Sequence, residues 1–160
     1  MPKKQIYLTG FMGTGKSMIL NCLHEVCGFD KIEMDEQIVQ EQGMSIPEIF
    51  EKKGEEYFRN LETELVKKIS AMDNIVVSCG GGTVMRQCNV DEMKKNGTIV
   101  LLTAEPETVY ERVKGSHNRP LLEKNMNPEY IKELMEARRP KYEAAADFVI
   151  KTDNRTAEEI

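Results

Sequence analysis

The eight residues Gly10-Phe11-Met12-Gly13-Thr14-Gly15-Lys16-Ser17 constrain this chain more than any other stretch. They spell G-x-x-x-x-G-K-[ST] between a short apolar run, Gln5 to Thr9, and a segment from Ser17 to Val26 with Ile19, Leu20, Leu23 and Val26 at helical spacing. Strand, glycine turn and helix in that order aim successive backbone N–H groups and the positive end of a helix dipole at one point. Such a point suits a phosphate. Lys16 is placed to reach the β- and γ-phosphates of a nucleotide, and the Ser17 hydroxyl to ligate Mg²⁺. Gly13, Thr14, Gly15 and Met18 are expected to line the same nucleotide site. A glycine-rich turn at an ordinary strand–helix junction is the bland alternative, and the motif with its strand–loop–helix setting disfavours it.

The rest of the chain continues the alternation. A second strand is expected near Lys31 to Glu33, then a helix from Asp35 to Gln42 ended by Gly43. Asp35 also stands where an N-cap is common. Met44, Ile46, Ile49 and Phe50 mark the next helix, opened by Ser45 with Glu48 as a capping box. After Gly54 a long helix, Glu55 to Met72, places Phe58, Leu61, Leu65, Val66 and Ile69 on one face. Asn74 to Ser78 reads as a strand buried on both sides, broken by Gly80-Gly81-Gly82, and Thr98 to Leu102 as another. A helix from Pro106 to Val113 leads into Lys114 to Asn127, a polar stretch without periodicity that suits a lid. Pro128 opens a helix running through Tyr130 to Ala146 that must accommodate Pro140, and Phe148 to Lys151 forms a last strand.

This pattern predicts an α/β fold: three layers, with a five-stranded parallel sheet covered by helices on both faces. Ligands of such sheets sit at the carboxyl ends of the strands, so the first glycine turn, Asp35 and the Gly80 turn should share one rim.

At 160 residues with 40% apolar content, one domain spanning 1–160 is expected. The net charge of −5 speaks against a general hold on nucleic acid and for a small anion in a local basic cleft. Cys22, Cys27, Cys79 and Cys88 form no C-x-x-C pair and no cluster with His24 or His117, so they read as reduced thiols. The apolar run Ile6 to Leu8 is far too short for a signal h-region or a membrane span. A cytoplasmic monomer with no membrane partner is the expectation.

Further motifs narrow the chemistry. Phe11-Met12-Gly13, Glu33-Met34-Asp35, Gly43-Met44-Ser45-Ile46 with Glu48-Ile49-Phe50, Gly54-Glu55-Glu56 and Phe58-Arg59 follow one another in order. Gly80-Gly81-Gly82, Arg119-Pro120-Leu121-Leu122, and Arg138 and Tyr142 flanking Pro140 complete the series. From about Ile6 to Lys151 the chain resembles the shikimate kinase family. The resemblance implies a P-loop, nucleoside-monophosphate-kinase-like fold that moves the γ-phosphoryl group of ATP, with Mg²⁺, to the 3-hydroxyl of shikimate, a step toward chorismate and the aromatic amino acids.

Position by position, the resemblance implies that Asp35 bonds and orients the shikimate hydroxyls while Arg59 and Arg138 bind its carboxylate. A fork-shaped guanidinium suits that group. Gly80, Gly81 and Gly82 would offer backbone N–H groups, with Glu62 holding Arg59 from one turn away. Together these form an acceptor-binding segment at about 35–65 beside the glycine turn. Arg119, in a lid at about 114–127, would close on the phosphates. Arg112 would stack on adenine opposite Asp153-Asn154-Arg155.

The chain departs from the family at Glu33, where an Asp usually helps hold Mg²⁺ through water. Family members also continue into a C-terminal helix beyond the position of Ile160. A gluconate-type kinase and a non-catalytic nucleotide-binding module are the alternatives, and retention of Asp35, Arg59, Arg119 and Arg138 argues against the second.

Overall fold

In the computed structural model, which describes residues 5–11, 15–80, 82–95, 97–113 and 128–153, with only the backbone of Arg112, Val113, Pro128 and Tyr130, five strands share one sheet. They are β1 (Gln5–Thr9), β2 (Asp30–Glu33), β3 (Ile75–Ser78), β4 (Gly97–Thr103) and β5 (Phe148–Lys151). Their spatial order is β2-β3-β1-β4-β5, and every neighbouring pair is parallel. Parallel neighbours need crossovers, which α1 (Lys16–Cys27), α2 (Met34–Gln42), α3 (Ile46–Lys53), α4 (Glu55–Ile69), α5 (Gln87–Lys94), α6 (Pro106–Val113) and α7 (Pro128–Ala145) supply.

The two-residue side-chain period of a strand divides the core between two faces. Tyr7, Val77, Ile99 and Leu101 point to the thicker side, where they meet Met34, Ile38, Ile49, Phe58, Leu65, Met93, Val109 and Ile131 from α2 to α7. Leu8, Val76 and Leu102 point the other way, onto Ile19 and Leu20 of α1. β3, flanked by β2 and β1 and covered on both sides, is buried at every residue, in keeping with its unbroken apolar run.

Helix ends follow local chemistry. Gly43 takes a left-handed φ of 67° at the end of α2 and donates its N–H to the Val39 carbonyl. The Ser45 hydroxyl accepts from the Glu48 N–H at 3.3 Å, while its own proton goes to the Glu48 carboxylate. Pro140 sits inside α7, which runs on through it.

Three expectations need correction. Asp35 does not cap α2: the helix begins at Met34, Glu33 holds the cap position, and Asp35 lies in the first turn, where an acid favours the dipole. The long helix ends at Ile69 rather than Met72: the N–H groups of Ala71 and Met72 bond to carbonyls three residues back, and the Gln5 side-chain amide bonds the carbonyls of Ile69, Ser70 and Met72. Helix α5, preceded by a 3₁₀ turn at Thr83–Met85, fills a stretch in which no helix was expected. It is eight residues long and has no capping side chain, so few local signals mark it.

Candidate active site

Turning out of β1, Gly10 (φ 140°) and Gly15 (φ 101°) adopt backbone conformations that side chains resist. Gly15 caps α1 without a side chain, leaving that helix start to face whatever the loop encloses. Lys16 bends back so that Nζ donates to the Gly10 carbonyl at 2.6 Å, lying along the loop it belongs to. One residue on, the Ser17 hydroxyl donates to Glu33 Oε1 at 2.8 Å, so the first turn of α1 and the end of β2 bring a hydroxyl and a carboxylate together. Met18 is 41% exposed in the same turn.

Beside this loop, the Cys79 N–H bonds to the Leu8 carbonyl at 2.9 Å and carries the Gly80 turn onto the same rim. Burial pushes the Cys79 thiol up to about 12 despite the nearby Lys16 charge, so it stays a packing group. A β-carbon on Gly80 would lie 2.7 Å from Glu62 Oε2 and 2.9 Å from Asp35 Oδ1. One on Gly82 would lie 2.5 Å from Arg59 Nη1. A side chain at either glycine would therefore displace the charged ends of Glu62, Asp35 or Arg59, which lie close against the backbone there.

Glu62 is fully buried. One of its oxygens accepts from Arg59 Nη1 at 2.8 Å and the other from the Thr83 hydroxyl at 2.8 Å. Arg59 also reaches Glu55, with Nε and Nη2 both 3.3 Å from Oε2. The two partners shift in the same direction rather than in the opposite directions of an exposed ion pair. Burial holds the Glu62 carboxyl above its ordinary range, outweighing Arg59 and Thr83, and the Asp35 charge adds to this. Burial would lower Arg59, but Glu62 and then Glu55 outweigh it, so the guanidinium stays firmly cationic.

From α7, Arg138 lays its guanidinium over the Phe11 ring, 5.7 Å from the centroid. Its Nη1 is buried and meets no hydrogen-bond acceptor among the described residues. Tyr142, one turn on, shares a hydrogen bond with Arg138; burial raises its phenol, while the charges of Arg138 and Arg59 pull it down. Two cations thus flank one buried region.

At the far edge, Asp153 Oδ1 accepts from the Glu105 N–H at 3.0 Å and the Thr108 hydroxyl at 2.5 Å, tying β5 to the start of α6. Burial would raise its carboxyl, but these donors together hold it low. Arg112 lies in α6, with its side chain outside the described residues. Gly13, Thr14, Gly81, Arg119, Asn154, Arg155 and the stretch 114–127 also lie outside them.

The structure therefore brings together Lys16, Ser17, Glu33, Asp35, Arg59, Gly80, Gly82 and Arg138. Sequence reasoning missed Thr83 as the second partner of Glu62 and Phe11 as the platform for Arg138. A Thr directly after the three glycines was the only available hint of the first.

The shikimate kinase family model matches residues 12–160. A shikimate kinase from Persephonella marina is 44% identical over 157 residues, covering 98% of this chain and 94% of the relative. A solved shikimate kinase from Acinetobacter baumannii, in complex with shikimate, superposes with a TM-score of 0.92 at 32% identity, covering 99% of this chain and 88% of the other. The crystal structure from Aquifex aeolicus gives 0.82 at 40% identity, covering 98% and 90%. On a family match of this extent, relatives this similar along nearly their whole length, and a fold this close to solved members, the chain belongs to the shikimate kinase family.

Proposed function

We propose that this chain binds ATP on the Gly10–Ser17 loop and shikimate between Arg59, Arg138 and Asp35, and transfers the γ-phosphoryl group to the shikimate 3-hydroxyl. The observation that carries this reading is Arg138 Nη1, a buried cationic donor without an acceptor among the described residues, held on the same rim as Arg59 and Asp35. A buried guanidinium nitrogen that lacks an acceptor is costly, and an incoming carboxylate supplies one, in fork geometry with the neighbouring nitrogen.

The chemistry is mostly positioning and charge. Shikimate's carboxylate docks on Arg59 and Arg138, which turns the ring so that its hydroxyls meet Asp35 and the backbone N–H groups of Gly80 to Gly82. Asp35 orients the attacking hydroxyl and accepts its proton as the oxygen bonds to the γ-phosphorus and the bond to the ADP oxygen breaks. Lys16 leaves the Gly10 carbonyl for the phosphates and follows the developing negative charge. Gly13, Thr14, Gly15 and Met18 line the nucleotide, with Arg112 and Arg155 at the base.

The Ser17 hydroxyl and Glu33 carboxylate, 2.8 Å apart, are hard oxygen donors of the kind Mg²⁺ prefers, so the residues fit that ion. When bound, Mg²⁺ supplies charge neutralisation at the phosphates. Residues 114–127 act as the lid that brings Arg119 onto the transferring group and excludes water.

The chain works as a single domain and a cytoplasmic monomer that takes neither nucleic acid nor membrane as partner. The acidic balance supports the first of these exclusions. Among the described residues no helix is long and apolar enough to cross a membrane.

A coupled ADP-release assay with MgATP and shikimate, gluconate or no acceptor tests the proposal. Turnover that requires shikimate, and falls by about 10³-fold or more in Asp35→Asn and Lys16→Ala, is expected. ATP binding without turnover on any acceptor would sink it.

A further inference from the structure

Behind the proposed acceptor site runs a line of buried hydrogen bonds that starts on α5. Asn89, on α5 and 1% exposed, donates from Nδ2 to the Thr83 carbonyl at 2.8 Å. Thr83, fully buried in the 3₁₀ turn, donates its hydroxyl to Glu62 Oε2 at 2.8 Å. Glu62 Oε1 then accepts from Arg59 Nη1 at 2.8 Å. The Thr83 N–H returns to the Gly80 carbonyl at 3.2 Å, so the same residue also closes the glycine turn.

We propose that Thr83 and Asn89 are positioning residues for the acceptor, acting through Glu62 and the glycine turn to aim Arg59 at the substrate carboxylate. This rests on the shikimate reading given above.

The physical case concerns satisfaction. A buried carboxylate with two oxygens needs a donor at each, and Arg59 reaches only one of them. Without the Thr83 hydroxyl, Glu62 Oε2 would lose the donor it now has while the Asp35 charge still acts on it. The carboxylate would turn or take up a proton, and Arg59 would lose the partner that fixes its plane against Gly82. Asn89 sets the height of the turn by holding the Thr83 carbonyl. Neither residue meets the nucleotide half, where Lys16 is held by Gly10 and Ser17 by Glu33.

The relay therefore predicts a split between the two substrates, which a general packing defect would not produce. Wild type, Thr83→Val, Thr83→Ser and Asn89→Ala are compared for KM of shikimate, KM of ATP, kcat and melting temperature. Thr83→Val, which keeps the shape but lacks the donor, should raise the KM for shikimate on the order of tenfold, with the KM for ATP within about twofold. Thr83→Ser should restore it. Asn89→Ala should move the same constant by less. An unchanged shikimate KM in Thr83→Val, or equal rises in both KM values, overturns the relay. If Thr83→Val does not fold, Thr83→Ser and Asn89→Ala decide: a Ser variant no better than the Asn89 variant, or an Asn89 variant with both KM values moved alike, overturns it. Absence of shikimate-dependent turnover in the wild type would instead remove the functional reading itself.

Discussion

The two ends of the sheet both bury polar side chains, and they do so in opposite ways. At the amino end, Gln5 is 2% exposed, and its Nε2 donates to the carbonyls of Ile69, Ser70 and Met72 at 3.1, 3.0 and 2.8 Å. Its oxygen accepts from the buried Tyr7 hydroxyl at 2.7 Å. That amide is saturated by the protein and finishes a helix. At the carboxyl end, Arg138 Nη1 is equally buried but meets no acceptor among the described residues, and the Glu62 carboxyl is held above its ordinary range. Leaving a buried donor without an acceptor costs stability, so it persists where something other than the fold supplies the acceptor. On the proposed reading, the saturated network stabilises the fold, whereas the incomplete one is completed by the substrate.

The sharpest way to break this comparison is to remove the incomplete group. Arg138→Met keeps a long apolar stem over Phe11 and deletes the charge. The KM for shikimate should rise by about 30- to 100-fold, corresponding to roughly 2–3 kcal/mol for a lost buried charge contact. The melting temperature should hold or rise. A clear fall in melting temperature with an unchanged KM would show Arg138 to be a structural cation like any other.

The converse change belongs at the amino end. Gln5→Leu takes a donor from three helix-end carbonyls, of which Ile69 keeps the Met72 N–H, and removes the Gln5 oxygen that accepts from the Tyr7 hydroxyl. Unfolding in urea should show a loss of about 1–3 kcal/mol, while kcat and both KM values stay within about twofold. Equal damage to activity and stability would mean that the two rims are mechanically coupled and the comparison fails.

This contrast also explains what was legible in the sequence. The phosphate loop was readable because its spacing carries its own chemistry, whereas Asp35, Arg59 and the glycine turn were singled out by the family resemblance of the motifs around them. Saturated pairings were not. Gln5 lies 65 residues from Ser70, Asp153 is 48 from Glu105 and Thr83 is 21 from Glu62. In each case one ordinary polar residue meets another far along the chain, and nothing local announces the partner. The parallel order could be inferred from strands alternating with helices, but α5 could not, since only Asn89, Val90 and Met93 are buried on it. Asp35 was misjudged as a cap because the strand–helix junction is so short that β2 ends at Glu33 and α2 begins at Met34.

Glu62 offers the smallest and most discriminating test, since it belongs to the carboxyl rim yet has protein partners at both oxygens. Its folded pKa lies above the ordinary value of 4.5, chiefly through burial. A carboxyl raised on folding binds its proton more tightly in the folded state. Its contribution to stability is fully present below about pH 4.5 and is lost as pH rises through the raised value. Above that window the folded protein carries a buried negative charge that Arg59 and Thr83 compensate only in part. Glu62→Gln removes the titration, so the stability of wild type relative to this variant should decline from pH 4.5 upward and then level off. Urea unfolding of both proteins across pH 4 to 7.5 measures the difference. A relative gain for wild type with rising pH would mean that the Arg59 pair outweighs burial. Glu62 would then be an ordinary structural ion pair, and the carboxyl rim would owe its incompleteness to Arg138 alone.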